Sequence, residues 1–269
     1  MSRQKPLAII LLLCAMFTGC SHMSDKRYLV SVYQQQGEQG VVESTVVESA
    51  ITAFYSKTQA LLAGNRGHYL DAPIIISKAL PNPAQPAYTA RAPGNVIFIA
   101  EFPDRKHLNA YLKNPEVLAQ MNSMAQSSQQ ERVFMAKEFN PMGMLPAHPA
   151  VGQFERRAAP AFIMVNDIAM KSFLNPLTPY RITRYMNINF PNLKNAEVKM
   201  MMPFEKVTDI RGNYPYEVLF MSEWSSEEAF NEFHQQDDFI QLTKTTRNKA
   251  FSAFTESKAQ IMNIGQINE

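Results

Sequence analysis

The sequence predicts an α+β fold made of two tandem copies of one β-α-β-β-α-β unit, and three observations carry that prediction. The stretch Val96-Ile97-Phe98-Ile99-Ala100-Glu101-Phe102 returns 122 positions later as Val218-Leu219-Phe220-Met221-Ser222-Glu223-Trp224, apolar on apolar and Glu on Glu. The register then continues without a gap. Leu108 falls on Phe230, Asn109 on Asn231, Tyr111 on Phe233, Val117 on Phe239 and Leu118 on Ile240, as expected where one supersecondary unit is used twice. Finally, 269 residues less a leader suit two domains of about 110 residues each.

Residues 1–19 read as that leader. A basic start (Arg3, Lys5) precedes an apolar run from Leu7 to Phe17, about half what a membrane-spanning helix needs, so the run reads as a removable export signal. The junction Phe17-Thr18-Gly19-Cys20 resembles the lipobox of bacterial lipoprotein precursors, departing from it at Phe17, where Leu is usual. The resemblance implies a signal peptide over 1–19, lipid on Cys20 and a short tether over 20–27. Several acyl chains on one cysteine hold a protein at a membrane where a single chain binds reversibly. With Ser21 after the cysteine rather than Asp, the resemblance implies a lipid-anchored protein of the cell envelope, at the outer rather than the inner membrane. Cys14 leaves with the leader, so no disulfide framework remains.

The first copy spans 28–140. Tyr28 to Tyr33 is β-prone, with Gly37 and Gly40 closing the strand. Val47, Ile51, Phe54, Tyr55, Thr58, Leu61 and Leu62 recur at helical spacing, and Gly64-Asn65 stops that helix. His68 to Leu80 is β-rich around Ile74-Ile75-Ile76, and the proline-laden 81–93 is a loop. The repeated strand, Asn95 to Phe102, leads into a helix from Asp104, interrupted at Asn114-Pro115 and resuming to Ser127. Arg132 to Phe139 closes the copy.

Residues 141–159 show no sustained periodicity and read as a linker. The second copy, 160–269, opens with a strand from Pro160 to Met170, followed by a helix over Pro179 to Asn189. Glu197 to Ile210 is the counterpart of Ile74 to Ile76, and Tyr216 to Trp224 is the repeated strand. Ser225 and Glu228 have capping-box spacing at the next helix, and Ala250 to Met262 is the last strand.

Hydrophobic content of 46% and charged content of 19% describe a globular chain with ordinary cores. Without Arg3 and Lys5, 24 basic residues stand against 24 acidic ones, which argues against nucleic acid as a partner, since that normally demands a basic face. No His or Cys spacing suggests zinc, and no glycine-rich phosphate loop is present. The runs Met142-Gly143-Met144 and Met200-Met201-Met202 read as core filler in preference to a copper site, because alternation in a strand turns Met201 away from its neighbours.

Alternation along the repeated strand places Val96, Phe98, Ala100 and Phe102 on one face and Ile97 and Ile99 on the other, so both faces are apolar. A β-α-β-β-α-β unit covers one sheet face with its helices and leaves the other bare, and a bare apolar face finds a partner. The junctions Glu101-Phe102-Pro103-Asp104 and Glu223-Trp224-Ser225-Ser226, with Tyr111 to Glu116 and Phe233 to Asp238 after them, resemble those of the dimeric α+β barrel superfamily. Uncharacterised relatives of the antibiotic-biosynthesis monooxygenases belong to it. The resemblance implies two ferredoxin-like units packed as an intramolecular α+β barrel, and a monomer through this internal pseudo-dimer. Trp224 and Phe102 are expected near the interface of the copies.

The superfamily includes cofactor-free oxygenases, haem proteins and members with no demonstrated activity, so the fold alone selects none of these. The sequence reading favours a membrane-anchored binding or structural module, not an enzyme, for an envelope protein or a small apolar ligand. The alternative is a small-molecule enzyme, such as a cofactor-independent monooxygenase using a barrel cavity. Convergence of Glu, His, Tyr or Arg in a cavity separates the second from the first. Glu101 and Glu223, at matched strand ends, are the candidate catalytic carboxylates, with helix-start capping as their structural alternative. His107 and His234 lie on helices where haem-binding relatives carry an axial ligand, but not at matched positions: His234 falls on Leu112 and His107 on Ala229. No cofactor and no metal are therefore expected.

Overall fold

The computed structural model describes residues 25–35, 45–80, 94–139, 162–172, 175, 177–196 and 198–262. The leader with Cys20, the 81–93 loop and the 141–159 linker lie outside the described residues. The first half comprises β1 (Arg27–Gln35), α1 (Thr45–Gly64), β2 (His68–Tyr69), β3 (Ile74–Leu80), β4 (Asn95–Phe102), α2 (Arg105–Lys113), α3 (Pro115–Gln126) and β5 (Ser128–Glu138). The second comprises β6 (Phe162–Met170), α4 (Leu177–Asn195), β7 (Lys199–Arg211), β8 (Val218–Trp224), α5 (Glu227–Gln235), α6 (Asp237–Leu242), a π turn (Thr243–Arg247), α7 (Asn248–Ala250), β9 (Phe251–Phe254) and β10 (Glu256–Ile261).

The strands close into a ring of eight: β1, β5, β7, β8, β6, β10, β3, β4 and back to β1, every neighbouring pair antiparallel. The two copies join edge to edge, through β5 on β7 (Glu138 opposite Phe204) and β10 on β3 (Ala259 opposite Ile76). Closure removes the free edges that an isolated β-α-β-β-α-β sheet would present to other chains.

The alternation predicted from sequence sorts the side chains into three cores. Ile97, Ile99, Ile163, Val165, Leu219 and Met221 fill the barrel interior. Val96, Phe98, Ala100 and Phe102 face outward under α1, α2 and α3. In the second half Val218, Phe220 and Trp224 face outward under α4, α5 and α6. Trp224 and Phe102 therefore do not sit between the copies. As even-numbered residues of their strands they point to the helix side, where Phe102 meets Tyr111 and Trp224 meets Phe230 and Phe233.

Local chemistry explains the remaining differences. The Asp104 and Asn114 carboxyl and amide oxygens accept from the His107 and Glu116 backbone N–H at α2 and α3. At α5 the capping residue is Ser226, which accepts from Ala229 N–H, so the predicted Ser225–Glu228 box is displaced by one residue. The last strand breaks at Thr255, whose N–H donates to the Asp167 carbonyl while its hydroxyl accepts from Asp167 N–H. This jog lets β6 pair with both β9 and β10. Gly212 turns the chain after β7 at φ +63°, and a Cβ there would lie 2.2 Å from the Glu131 carbonyl oxygen, which only glycine tolerates.

Candidate functional site

The two outer cores, equivalent by the repeat, are chemically unequal. In the first half the space between sheet and helices is closed by Leu29, Phe54, Tyr69, Phe98, Tyr111 and Met121, with no charged residue in the lining. Its polar contact joins the Tyr69 and Thr58 hydroxyls at 2.5 Å. Burial pushes the Tyr69 phenol well above its ordinary value, so it stays neutral.

In the second half two adjoining clefts share Tyr185, Asn189, Leu193, Phe220 and Phe254 as walls. The larger, about 470 Å³ including its open mouth, is walled by Phe139, Ile168, Met186, Val218 and Phe251 as well. The other, about 380 Å³ counted the same way, ends on Asn166, Ser222, Trp224, His234, Arg247 and Glu256. An apolar chamber thus opens onto a polar end, the arrangement typical of small-molecule sites.

Three elements position that end. Helical spacing on α5 turns Phe230, Phe233 and His234 inward together. After α6 the helix widens into the π turn, which buries Thr243, Thr246 and Arg247; such turns recur at functional sites because they bring in a residue that regular winding would place elsewhere. Glu256 opens β10 directly after the Thr255 jog.

The His234 Nδ1 lies 2.8 Å from the Phe230 carbonyl oxygen. A carbonyl only accepts, so Nδ1 carries the hydrogen and Nε2 faces the Glu256 carboxylate at 3.6 Å. Arg247 Nη1 approaches the same carboxylate at 3.9 Å, and its guanidinium lies 4.6 Å from the Phe254 ring centre. Burial alone would raise the Glu256 carboxyl. The hydrogen bond and charge of His234, with the charge of Arg247, outweigh it and hold the group below the usual carboxylate range. Burial pushes the Tyr185 phenol up to about 12. Asn189 Nδ2 donates to its hydroxyl at 3.5 Å. Arg247 Nε and Asn189 Oδ1 are buried without a hydrogen-bond partner among the described residues. The cluster offers a carboxylate held beside an imidazole, a buried cation that can stabilise an oxyanion, and two polar atoms still to be satisfied.

The carboxylates singled out from the sequence stand apart from it. Glu101 forms an ion pair with Lys26 at 2.8 Å and lies opposite Tyr28 in the β1–β4 ladder. Glu223 is buried in β8, opposite Ile163 and Lys199. Neither lines the three clefts described above, and the helix starts that follow are capped by Asp104 and Ser226. His107 pairs with the Asp104 carboxylate at 2.8 Å at the start of α2. The side chains of Met200–Met202, and Met142 and Met144, are outside the described residues.

Sequence reasoning missed Tyr185, Asn189, Arg247 and Glu256. One signal was present, since Arg247 continues the inward stripe of Phe239, Leu242 and Thr243, where a charge is out of place.

Haem, which the family resemblance allows, does not fit this arrangement. An axial ligand needs a ring nitrogen aimed into an open slot. Both nitrogens of His234 are engaged, and the Phe230 and Phe239 rings lie 3.9 and 4.6 Å from its centre.

No family model matches the sequence, and no curated protein matches it. Solved structures do. An anthrone oxidase-like protein is similar with a TM-score of 0.52 at 7% identity, the alignment covering 89% of this chain and 92% of that one. A point variant of chlorite dismutase from Candidatus Nitrospira defluvii is similar with a TM-score of 0.50 at 11% identity, covering 91% and 94%. These likenesses span both copies and show the fold, an α+β barrel within one chain. They also correct the sequence reading of a binding or structural module that is not an enzyme. The neighbours bear enzyme names, and the second-half cavity converges His, Glu, Arg and Tyr where that reading required continuous apolar packing.

Proposed function

We propose that the chain is a small-molecule enzyme of the cofactor-independent monooxygenase kind, with the second-half cavity as its reaction chamber. The observation that carries this reading is the buried His234–Glu256–Arg247 cluster at the end of an apolar cleft, against a counterpart in the first half whose lining carries no charge. Oxygenation without a cofactor needs a substrate that forms a carbanion or enolate able to reduce dioxygen itself. The protein must then take a proton, stabilise the resulting oxyanion and exclude water.

The Glu256 carboxylate takes the proton, held in place by His234 Nε2 and Arg247, which both face it. Arg247 is the cation for the enolate oxygen, in a low-dielectric setting where such charges act strongly. For a benzylic ketone such as anthrone, the balanced reaction converts a CH2 and O2 into a carbonyl and water. Four electrons leave the carbon and four enter the dioxygen.

The test is oxygen uptake with anthrone above the enzyme-free rate. Glu256→Gln keeps the shape of the cluster but has no base, so kcat is expected to fall by about 10²–10⁴. Uptake no faster than background, or a purified protein showing a Soret band with one haem per chain, would sink the reading.

The lipobox resemblance supports a lipid anchor on Cys20 in the cell envelope. Cys20→Ser is expected to abolish labelled-palmitate incorporation and leave the leader attached. Unchanged labelling would refute the anchor.

A further inference from the structure

Helix α4 carries an exposed face unlike that of its counterpart. Along its 19 residues, Thr178, Ile182, Tyr185, Met186, Asn189 and Leu193 form the buried stripe. On the opposite side, Leu177, Tyr180 and Ile188 are 51%, 60% and 40% exposed, three of the five exposed large apolar side chains among the described residues. At 3.6 residues per turn these three, together with Arg181 and Arg184, share one arc about 100° wide. The helix contains no acidic residue. The pseudo-equivalent α1 exposes Ser49, Ala53, Ser56, Lys57, Gln59 and Ala60 instead, the small and polar set expected of a helix facing water. The repeat thus supplies an internal control, and the apolar-basic stripe belongs to the second copy alone.

We propose that this stripe is a seat for an anionic phospholipid surface, with Leu177, Tyr180 and Ile188 entering the headgroup boundary and Arg181 and Arg184 meeting lipid phosphates. Apolar and aromatic residues flanked by basic ones, without acid, are the composition by which an amphipathic helix lies in a membrane interface. The chain ahead of the fold points the same way. If Cys20 carries lipid, the seven residues to Arg27 hold the barrel within about 25 Å of the bilayer.

The strand register fixes where that attachment stands relative to the stripe. Tyr28, at the start of β1, pairs with Ala136, which pairs with Lys206, while Glu138 pairs with Phe204. The beginning of β1 therefore lies at the barrel end where α4 ends and β7 begins, and the stripe runs toward that end from Leu177, at the far end of the barrel, to Ile188. The seat is independent of the catalytic reading. It does not use the cavity cluster, although the inner face of the same helix supplies Tyr185, Met186 and Asn189 to the cleft.

The experiment uses the chain from Ser24 onward, which keeps every described element and carries no lipid, sedimented with vesicles of phosphatidylcholine alone or mixed with phosphatidylglycerol. Partition to the mixed vesicles should exceed that to the neutral ones and weaken as salt is raised. The triple variant Leu177→Ser/Tyr180→Ser/Ile188→Ser should lower it at least about ten-fold, and Arg181→Gln/Arg184→Gln should remove the preference for phosphatidylglycerol. The substituted residues are at the surface, so each variant is required to melt with the parent. The proposal is overturned if the parent does not sediment, if it prefers neither vesicle, or if the triple variant partitions as the parent does. It is also overturned if light scattering finds a parent dimer that the triple variant dissolves, which would assign the stripe to a second copy of this chain.

Discussion

Expressed alone, the first copy (Tyr28 to Asn140) is expected to melt far below the chain that carries both copies, and to self-associate. Separation strips β5 of β7 and β3 of β10, leaving two strand edges unpaired. It also uncovers the barrel-facing side chains Tyr28, Val30, Val32, Ile97, Ile99 and Phe134, which pack against Ile163, Val165, Leu219 and Met221 of the second copy. Each is worth about 1.5–3 kcal/mol on full burial. A few of them therefore match the roughly 5–15 kcal/mol that separates a folded domain from its unfolded chain.

Within the whole chain the linker holds the partner at high effective concentration, which a free half loses. Two free halves can regenerate the missing edges by pairing with each other. Light scattering and thermal melting of the half beside the whole check this. A monomeric half with the melting temperature of the whole would show that the barrel interior contributes nothing to its stability.

The second large effect is expected from Trp224→Ala, at about 3–5 kcal/mol of destabilisation. At roughly 2–4 °C per kcal/mol for a chain of this size, the melting temperature drops by about 6–20 °C. Trp224 is 2% exposed, its ring lies 5.2 Å from both Phe230 and Phe233, and its Nε1–H donates to Ser222 Oγ at 3.0 Å. Truncation leaves a cavity under α5 beside His234, and α5 cannot collapse into it without moving Phe230, which also meets Phe162. Trp224→Phe, which keeps most of the volume, should cost much less. Equal melting of Trp224→Ala and the parent would mean that the ring is not part of the second-half core.

The fold was legible because it is written in local patterns repeated at one spacing. Alternation in Val96 to Phe102, helical periodicity in Val47 to Leu62 and the caps at Asp104 and Asn114 each depend on a few neighbouring residues, and the second copy repeats the message. Positions where local pattern and tertiary demand conflict were misread. Ala250 to Met262 looked like one strand, but β6 must pair with it on two registers, which the Thr255 jog permits. Trp224 and Phe102 were assigned to the wrong face because apolar residues on both sides of a strand do not say which side the helices cover.

By itself the sequence determined the two copies, their element order and the alternation that fills both sheet faces, since these follow from spacings of two to four residues and one long repeat. Tertiary structure alone decided that the sheets join at their edges into a closed ring. It also brought together Tyr185 from α4, His234 from α5, Arg247 from the π turn and Glu256 from β10. These four come from separate elements spread over some seventy positions, and no linear pattern links them. Glu101 and Glu223, conspicuous because they repeat, mark the architecture that both copies share. The proposed site stands where the copies differ, because a site confined to one half of a pseudo-symmetric barrel leaves no trace in what the halves have in common.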